Sequence, residues 1–322
     1  MKKIILTAIT GVLILSSCSR NEAFEDDSSA ETNLINFSAY SAQSPESRSI
    51  DADITTLQAS SFSVYARLSG DGSPLMDNVD VNWTGSNWVY SPIKYWPSSG
   101  NVDFIAIGKN TNATVTSMAG NLNAPTITYR ANNTPATQED LLIASALNQS
   151  KGSGLVNLTF KHALSKLSVS VMADATDTSL TLEINSIELE NVLSEGSCTV
   201  SNTSLLWASS GIPANIEFGL DQAKTAIAGN ASPVYTDIMN SDGSMIIIPQ
   251  QMTRLVVKGR WIQNGMTIED FTAGKNVDLS ISGSWEASKH YKFRLKIGMN
   301  NVPITFDATI DPWSDQDVDL QP

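Results

Sequence analysis

The side chains best equipped for covalent chemistry are few: two cysteines, Cys18 and Cys198, and two histidines, His162 and His290. Cys18 closes the stretch "MKKIILTAITGVLILSSC". Lys2 and Lys3 precede an apolar run from Ile4 to Leu15. That run is shorter than the ~20 residues needed to span a bilayer, and it has the length of a secretory leader. Leu15, Ser16 and Ser17 put an apolar residue three positions before the thiol and small residues beside it. This is what a lipoprotein peptidase must fit, with the thiol left free to take a diacylglycerol. Three fates compete for Cys18: a disulfide with Cys198, a bystander in the leader, or lipid attachment. The flanks select lipid attachment. Ser19 follows rather than Asp, which argues against retention at the inner membrane. With Cys18 as the mature N-terminus, Cys198 has no intrachain partner, and "GSCTVS" suits a small buried hydrophobe better than a nucleophile.

His162 lies in "FKHALSKL" and His290 in "HYKFRLKIG". A triad needs such a base beside a nucleophile and a carboxylate. No G-x-S-x-G, P-loop or dinucleotide fingerprint is present. The expected roles are structural, His162 packed at a domain joint and His290 at the surface start of a strand. No catalytic residue, cofactor or metal ligand is assigned. Asp315, Asp317 and Asp319 alternate in "DPWSDQDVD". They could face a Ca²⁺ ion, but the EF-hand loop pattern fails and a charged sheet edge that discourages aggregation is preferred. Trp83, Trp88, Tyr90, Tyr95 and Trp96 fall within fourteen residues. Aromatic faces can stack on sugars, which makes Trp83, Trp88 and Trp96 candidate ligand contacts; core packing is the competing role. The net charge of −13 repels phosphate and speaks against a nucleic-acid partner.

The elements that must position these residues show period-two alternation. "LINFSAY" puts Ile35, Phe37 and Ala39 on one face, and "FSVYARL", "VDVNW", "LVNLTF", "HYKFRLKIG" and "VPITFDATI" repeat the pattern. Alternation of this kind marks strands with one buried and one wet face. In "LTLEINSIELENV" the apolar series slips by one residue, which predicts a bulge near Asn185–Ser186. "MIIIP" predicts a strand buried on both faces, and "QNGM" a hairpin turning at Asn264-Gly265. Helical periodicity is weak: "LDQAKTAIA" (220–228) predicts two turns and "HALSKL" (162–167) one. Many short strands joined by turn-rich segments predict an all-β fold of two tandem β-sandwiches. The division is a leader over 1–17, a disordered acidic tether over 18–33, and sandwich domains over 34–163 and 164–322.

"WVYSPIKYWPSSGNVDFIAIG" (88–108), "DLLIA" (140–144), "VNLTFKHALSKLSVSV" (156–171) and the ending "YKFRLKIG…ITFDATIDPW" resemble, in order, the fimbrillin family of Bacteroidales and its Mfa-like members. The resemblance implies two transthyretin-like, Greek-key sandwich domains and a lipoprotein precursor exported to the outer membrane and cell surface. It implies assembly into fimbriae with other subunits by strand exchange, once an Arg-specific protease removes the first strand. "LINFSAY" is followed by the polar loop "SAQSPESRSIDADITT", whose one basic residue is Arg48. Cleavage between Arg48 and Ser49 matches the family's processing position. The last segment, "SDQDVDLQP", is short and acidic for a donor strand, which favours a tip or accessory subunit. The alternative is a permanently lipid-anchored surface binding module, with host or bacterial glycans or proteins as its ligands.

Overall fold

The computed structural model describes residues 33–41, 54–117, 125–240, 244–251, 254–279, 285–300 and 303–313, and it is built of β-sheet. Cys18, Arg48, Ser49, Asp315, Asp317 and Asp319 lie outside the described residues. Seven strands form the first sheet, in the order β1 (Phe37–Ser41), β9 (Val156–His162), β8 (Leu142–Gln149), β5 (Val102–Gly108), β2 (Phe62–Leu68), β3 (Pro74–Trp83), β4 (Trp88–Tyr90). The second sheet runs β13 (Leu205–Ser210), β12 (Glu195–Val200), β7 (Thr126–Arg130), β6 (Ala113–Ser117). In the third, β10 (Ser165–Ala173) carries β16 (Thr236–Asp237) and β17 (Met245–Ile247) on one side and pairs with β21 (Lys289–Ile297), which pairs with β22 (Thr305–Pro312). In the fourth, β11 (Leu180–Val192) carries β14 (Ala214–Glu217) and β15 (Ala226–Ala228), and β18 (Arg254–Gln263) joins it to β19 (Met266–Asp270) and β20 (Lys275–Asp278). One α-helix is present among the described residues, α1 (Ile54–Ser60).

The alternation read from the sequence is the burial seen in the fold. In β9, Val156, Leu158 and Phe160 are fully buried while the residues between them are exposed. Each inward side chain contributes about 2 kcal/mol of apolar burial. β5 is buried along its whole length. Val102, Phe104 and Ala106 enter a core with Phe37, Phe62 and Phe160. Ile105 and Ile107 enter another with Ile127, Ile143 and Cys198. The seven-stranded sheet therefore curls around the first core and carries the β6–β7–β12–β13 sheet on its second face. The third and fourth sheets enclose a core of their own, from Leu167 and Val169 to Trp261 and Phe293.

β17 behaves as "MIIIP" predicts: Met245 and Ile247 belong to the last core, Ile246 and Ile248 to the Cys198 core. The β11–β18 register shifts between Ile184 and Ser186, the predicted bulge. Asn264 and Gly265 turn the β18–β19 hairpin with φ of 49° and 81°, values that this turn type requires and Asn-Gly accepts.

Both helical expectations are corrected. Over 220–228 the chain makes a turn and then β15. The Asp221 carboxylate accepts from the Ala223 amide at 3.0 Å, a local bond that competes with helix formation. Residues 162–167 are the end of β9 and the start of β10. There, strand pairing from Ser165↔Lys289 onward outweighs local propensity. The helix that does form, α1, buries Leu57 alone, too little to leave a periodic signal.

Candidate functional site

The two edges of the seven-stranded sheet meet at β1. On one side β1 runs parallel to β9, from Phe37↔Val156 to Ser41↔Phe160. Just ahead of β1, Leu34 bridges Tyr95, the Ile35 amide donates to the Lys94 carbonyl at 3.1 Å, and the Trp96 amide donates to the Asn33 carbonyl at 2.9 Å. Tyr90 Oη donates to the Ile35 carbonyl at 2.7 Å. Burial raises the pKa of that phenol, so the donor proton is retained. Ile35, Phe37 and Ala39 all point inward and are buried. The Phe37 ring meets Tyr90 and Phe104 edge-on at 5.5 and 5.8 Å. β1 thus closes a hydrophobic seam that would otherwise bare Tyr90 and Phe104.

Beside the seam lies a pocket of about 540 Å³ on the other face of β8 and β9, lined by Asn157, Lys161 and Asn202 among others, and a second of about 530 Å³ on the seam itself. Asn36, Ser38 and Tyr40 form one wall of the seam pocket, and Trp83, Asn87 and Trp88 of the β3–β4 hairpin form another. Trp83 and Trp88 are cross-strand partners with ring centroids 5.2 Å apart. Trp88 in turn packs on Phe62 at 4.8 Å, and Phe62 on Phe160 at 5.1 Å. A continuous aromatic ladder therefore runs from the core to the surface and holds Trp83 at its outer end. Trp96 is set apart from this pair, buried edge-on against Phe104 at 5.7 Å.

The histidines take structural positions. His162 is 2% exposed. Its Nδ1 donates to Asp140 Oδ2 at 2.6 Å, and its ring stacks on Trp313 at 4.2 Å with an interplanar angle of 4°. The Ser288 hydroxyl donates to its carbonyl at 2.6 Å, and the buried Lys166 ammonium lies 5.7 Å from the Trp313 ring. An Asp–His pair is two of the three members of a hydrolytic triad, but this one is walled in by Trp313 where no substrate reaches it. It sits between the end of β9 and the end of β22. Asp140 is unassigned in the sequence; its one local signal is the second carboxylate of Glu139-Asp140, directly ahead of the apolar run "LLIASA". His290 Nε2 shares a 2.9 Å hydrogen bond with the Ser168 hydroxyl across the β10–β21 pair. Cys198 is fully buried, and burial pushes its thiol up to about 12. Among the described residues no three His, Cys, Asp or Glu side chains converge as a metal site.

The model of the family described as "Fimbrillin-like" matches residues 33–313. The chain belongs to the fimbrillin-like family. The match begins at the bridge ahead of β1 and ends on Trp313, so it takes in the seam strand and the His162–Trp313 stack of this fimbrillin-like chain. No curated protein matches it. A fimbrial protein from Bacteroides vulgatus is similar in fold, with a TM-score of 0.65 at 16% identity, over 88% of this chain and all of that one. A candidate cell adhesion protein from Bacteroides uniformis is similar with a TM-score of 0.51 at 16% identity, over 87% and 98%.

Proposed function

We propose that this fimbrillin-like chain is a structural or adhesive subunit of cell-surface fimbriae. In this reading it is exported as an outer-membrane lipoprotein through Cys18 and assembled by strand exchange after cleavage between Arg48 and Ser49. The two halves, 34–163 and 164–322, are read as tandem transthyretin-like sandwiches. The observation that carries the assembly step is β1: an edge strand that, with Ile35 just ahead of it, buries three inward side chains in a seam, joined to the rest of the chain through the segment that contains Arg48. Backbone hydrogen bonds and alternate side chains in pockets are how an incoming strand would replace it. Other fimbrial subunits are the partners, with surface glycans or proteins as adhesive targets.

The second reading is a permanently anchored binding module, adhesin or fimbrial anchor, that keeps β1. The backbone bonds that tie residues 33–35 to 94–96 favour it. N-terminal sequencing of surface material from intact cells separates the two. A mature form beginning at Ser49 in high-molecular-weight assemblies, lost in Arg48→Ala, is expected for strand exchange. Unchanged size and assembly in Arg48→Ala would sink the processing step, and a detergent-extractable form retaining β1 would establish the anchored module.

A further inference from the structure

We infer that the pocket between β1 and the β3–β4 hairpin is a binding subsite for a neutral sugar, with Trp83 as its platform. The cavity, about 530 Å³, lies within the range of small-ligand sites and at the mouth of a curled sheet. Its chemistry is selective by omission. Charged residues make up 16% of the chain, yet none of the twelve described residues that line the pocket is charged. Among the described lining residues an ionic ligand would meet no counter-charge to offset its desolvation. The pocket instead offers indole faces and the amides of Asn36, Gln58 and Asn87. Each amide donates and accepts, as each sugar hydroxyl does, while an indole face takes the apolar C–H face of a pyranose.

The platform is rigid before any ligand arrives. Trp83 is the outer member of the Phe160–Phe62–Trp88–Trp83 ladder, and the inner two rings are fully buried. A ring fixed by packing costs little entropy on binding.

The pocket also depends on the seam. The segment Asn36 to Tyr40 supplies five of its twelve lining residues. If β1 leaves and another strand takes its place, one wall of the site is rebuilt from that strand's side chains. Sugar affinity therefore reports which strand fills the seam. The assignment gives the adhesive reading above a ligand class, and rests on that reading for a surface glycan as the source. The binding chemistry itself stands whether or not the chain polymerises.

Saturation-transfer NMR on the purified full chain tests it, with lactose, cellobiose, mannobiose and chitobiose as neutral probes and galacturonate as the anionic one. At least one neutral disaccharide should respond and galacturonate should not. Trp83→Ala should weaken binding by about tenfold or more. Leu155→Arg should abolish it by projecting bulk and charge into the pocket from a residue that is 52% exposed, so this variant decides the matter even if Trp83→Ala fails to fold. No response from any neutral sugar, an equal response from galacturonate, or a response that survives Leu155→Arg overturns the subsite. Electron microscopy of cells carrying Leu155→Arg keeps the two readings apart. Fimbriae that persist while sugar binding is lost support both, and wild-type sugar binding on cells without fimbriae sinks the fimbrial reading alone.

Discussion

Cys198 and Gly259 show how far a single residue can be read from the chain. The sequence "GSCTVS" implies an inert, buried thiol, and the structure encloses it with Ile127, Val200 and Ile246. Burial moves its pKa from 9.0 to about 12. The unfolded chain therefore ionises this thiol first as pH rises. Its contribution to stability is complete below about pH 9 and is lost between pH 9 and about 12. Urea unfolding of the wild type should weaken across that window more steeply than unfolding of Cys198→Ala. Parallel curves would show that the thiol does not titrate with folding. The native thiol should also resist alkylation until the protein unfolds. Gly259 carried no signal. It lies in β18, and a Cβ there would stand 2.3 Å from the Glu183 carbonyl and 2.9 Å from the Phe271 ring. Gly259→Ala should cost about 1–3 kcal/mol through overpacking. Gly265→Ala, with open space around it and only its φ of 81° to strain, should cost about 1 kcal/mol. A denaturant midpoint for Gly259→Ala at or above that of Gly265→Ala would contradict the contact geometry.

At the scale of elements, alternation located strands well because its cause is local: every second side chain of a pleated strand faces the same way. It gave the inward set of β1, β9 and β21 residue by residue. It could not say which strand lies beside which. β1 pairs with β9, and Ser38 reaches Asn157 across 119 positions at 2.5 Å, a partner no local pattern encodes. The Trp83–Trp88 platform was visible as composition, but the separation of Trp96 from it depends on how β4 and β5 are placed. The same reasoning yields a test of the seam. Phe37→Ala removes a ring that meets Tyr90 and Phe104 and should cost about 3–5 kcal/mol. Tyr40→Ala, at 45% exposure on the other face of β1, should change stability by about 0.5 kcal/mol or less. A synthetic peptide of residues 33–41 should restore the thermal midpoint of a chain that lacks them. Equal losses for the two variants would mean that β1 is not seated by its inward side chains, and strand exchange would lose its physical basis.

For the whole molecule, the chain order and the layer order diverge. β12 and β13 follow residue 164 in sequence, yet β12 pairs with β7 from Thr199↔Thr126 to Glu195↔Arg130. Together they cover the face of the seven-stranded sheet that carries Ile105, Ile107 and Ile143. β17 then threads between that core and the one enclosed by β10, β11, β18 and β21, and Trp313 stacks on His162 from the chain's far end. Sequence periodicity could place strands but could not show this return, because a hairpin's hydrophobic face does not name the sheet it will cover. The consequence concerns cooperativity. A fragment ending at 163 would keep the seven-stranded sheet but leave Ile105, Ile107, Ile127 and Ile143 without Cys198, Val200, Ile246 and Ile248 against them. An apolar face of that kind drives association. The fragment 33–163 should therefore aggregate or bind a hydrophobic dye strongly. The full chain should unfold in one transition, with calorimetric and van't Hoff enthalpies in agreement. If 33–163 is instead monodisperse, binds no dye and melts cooperatively, the halves are independent domains. The β12–β13 hairpin would then be a dispensable cover and not part of the first half's core.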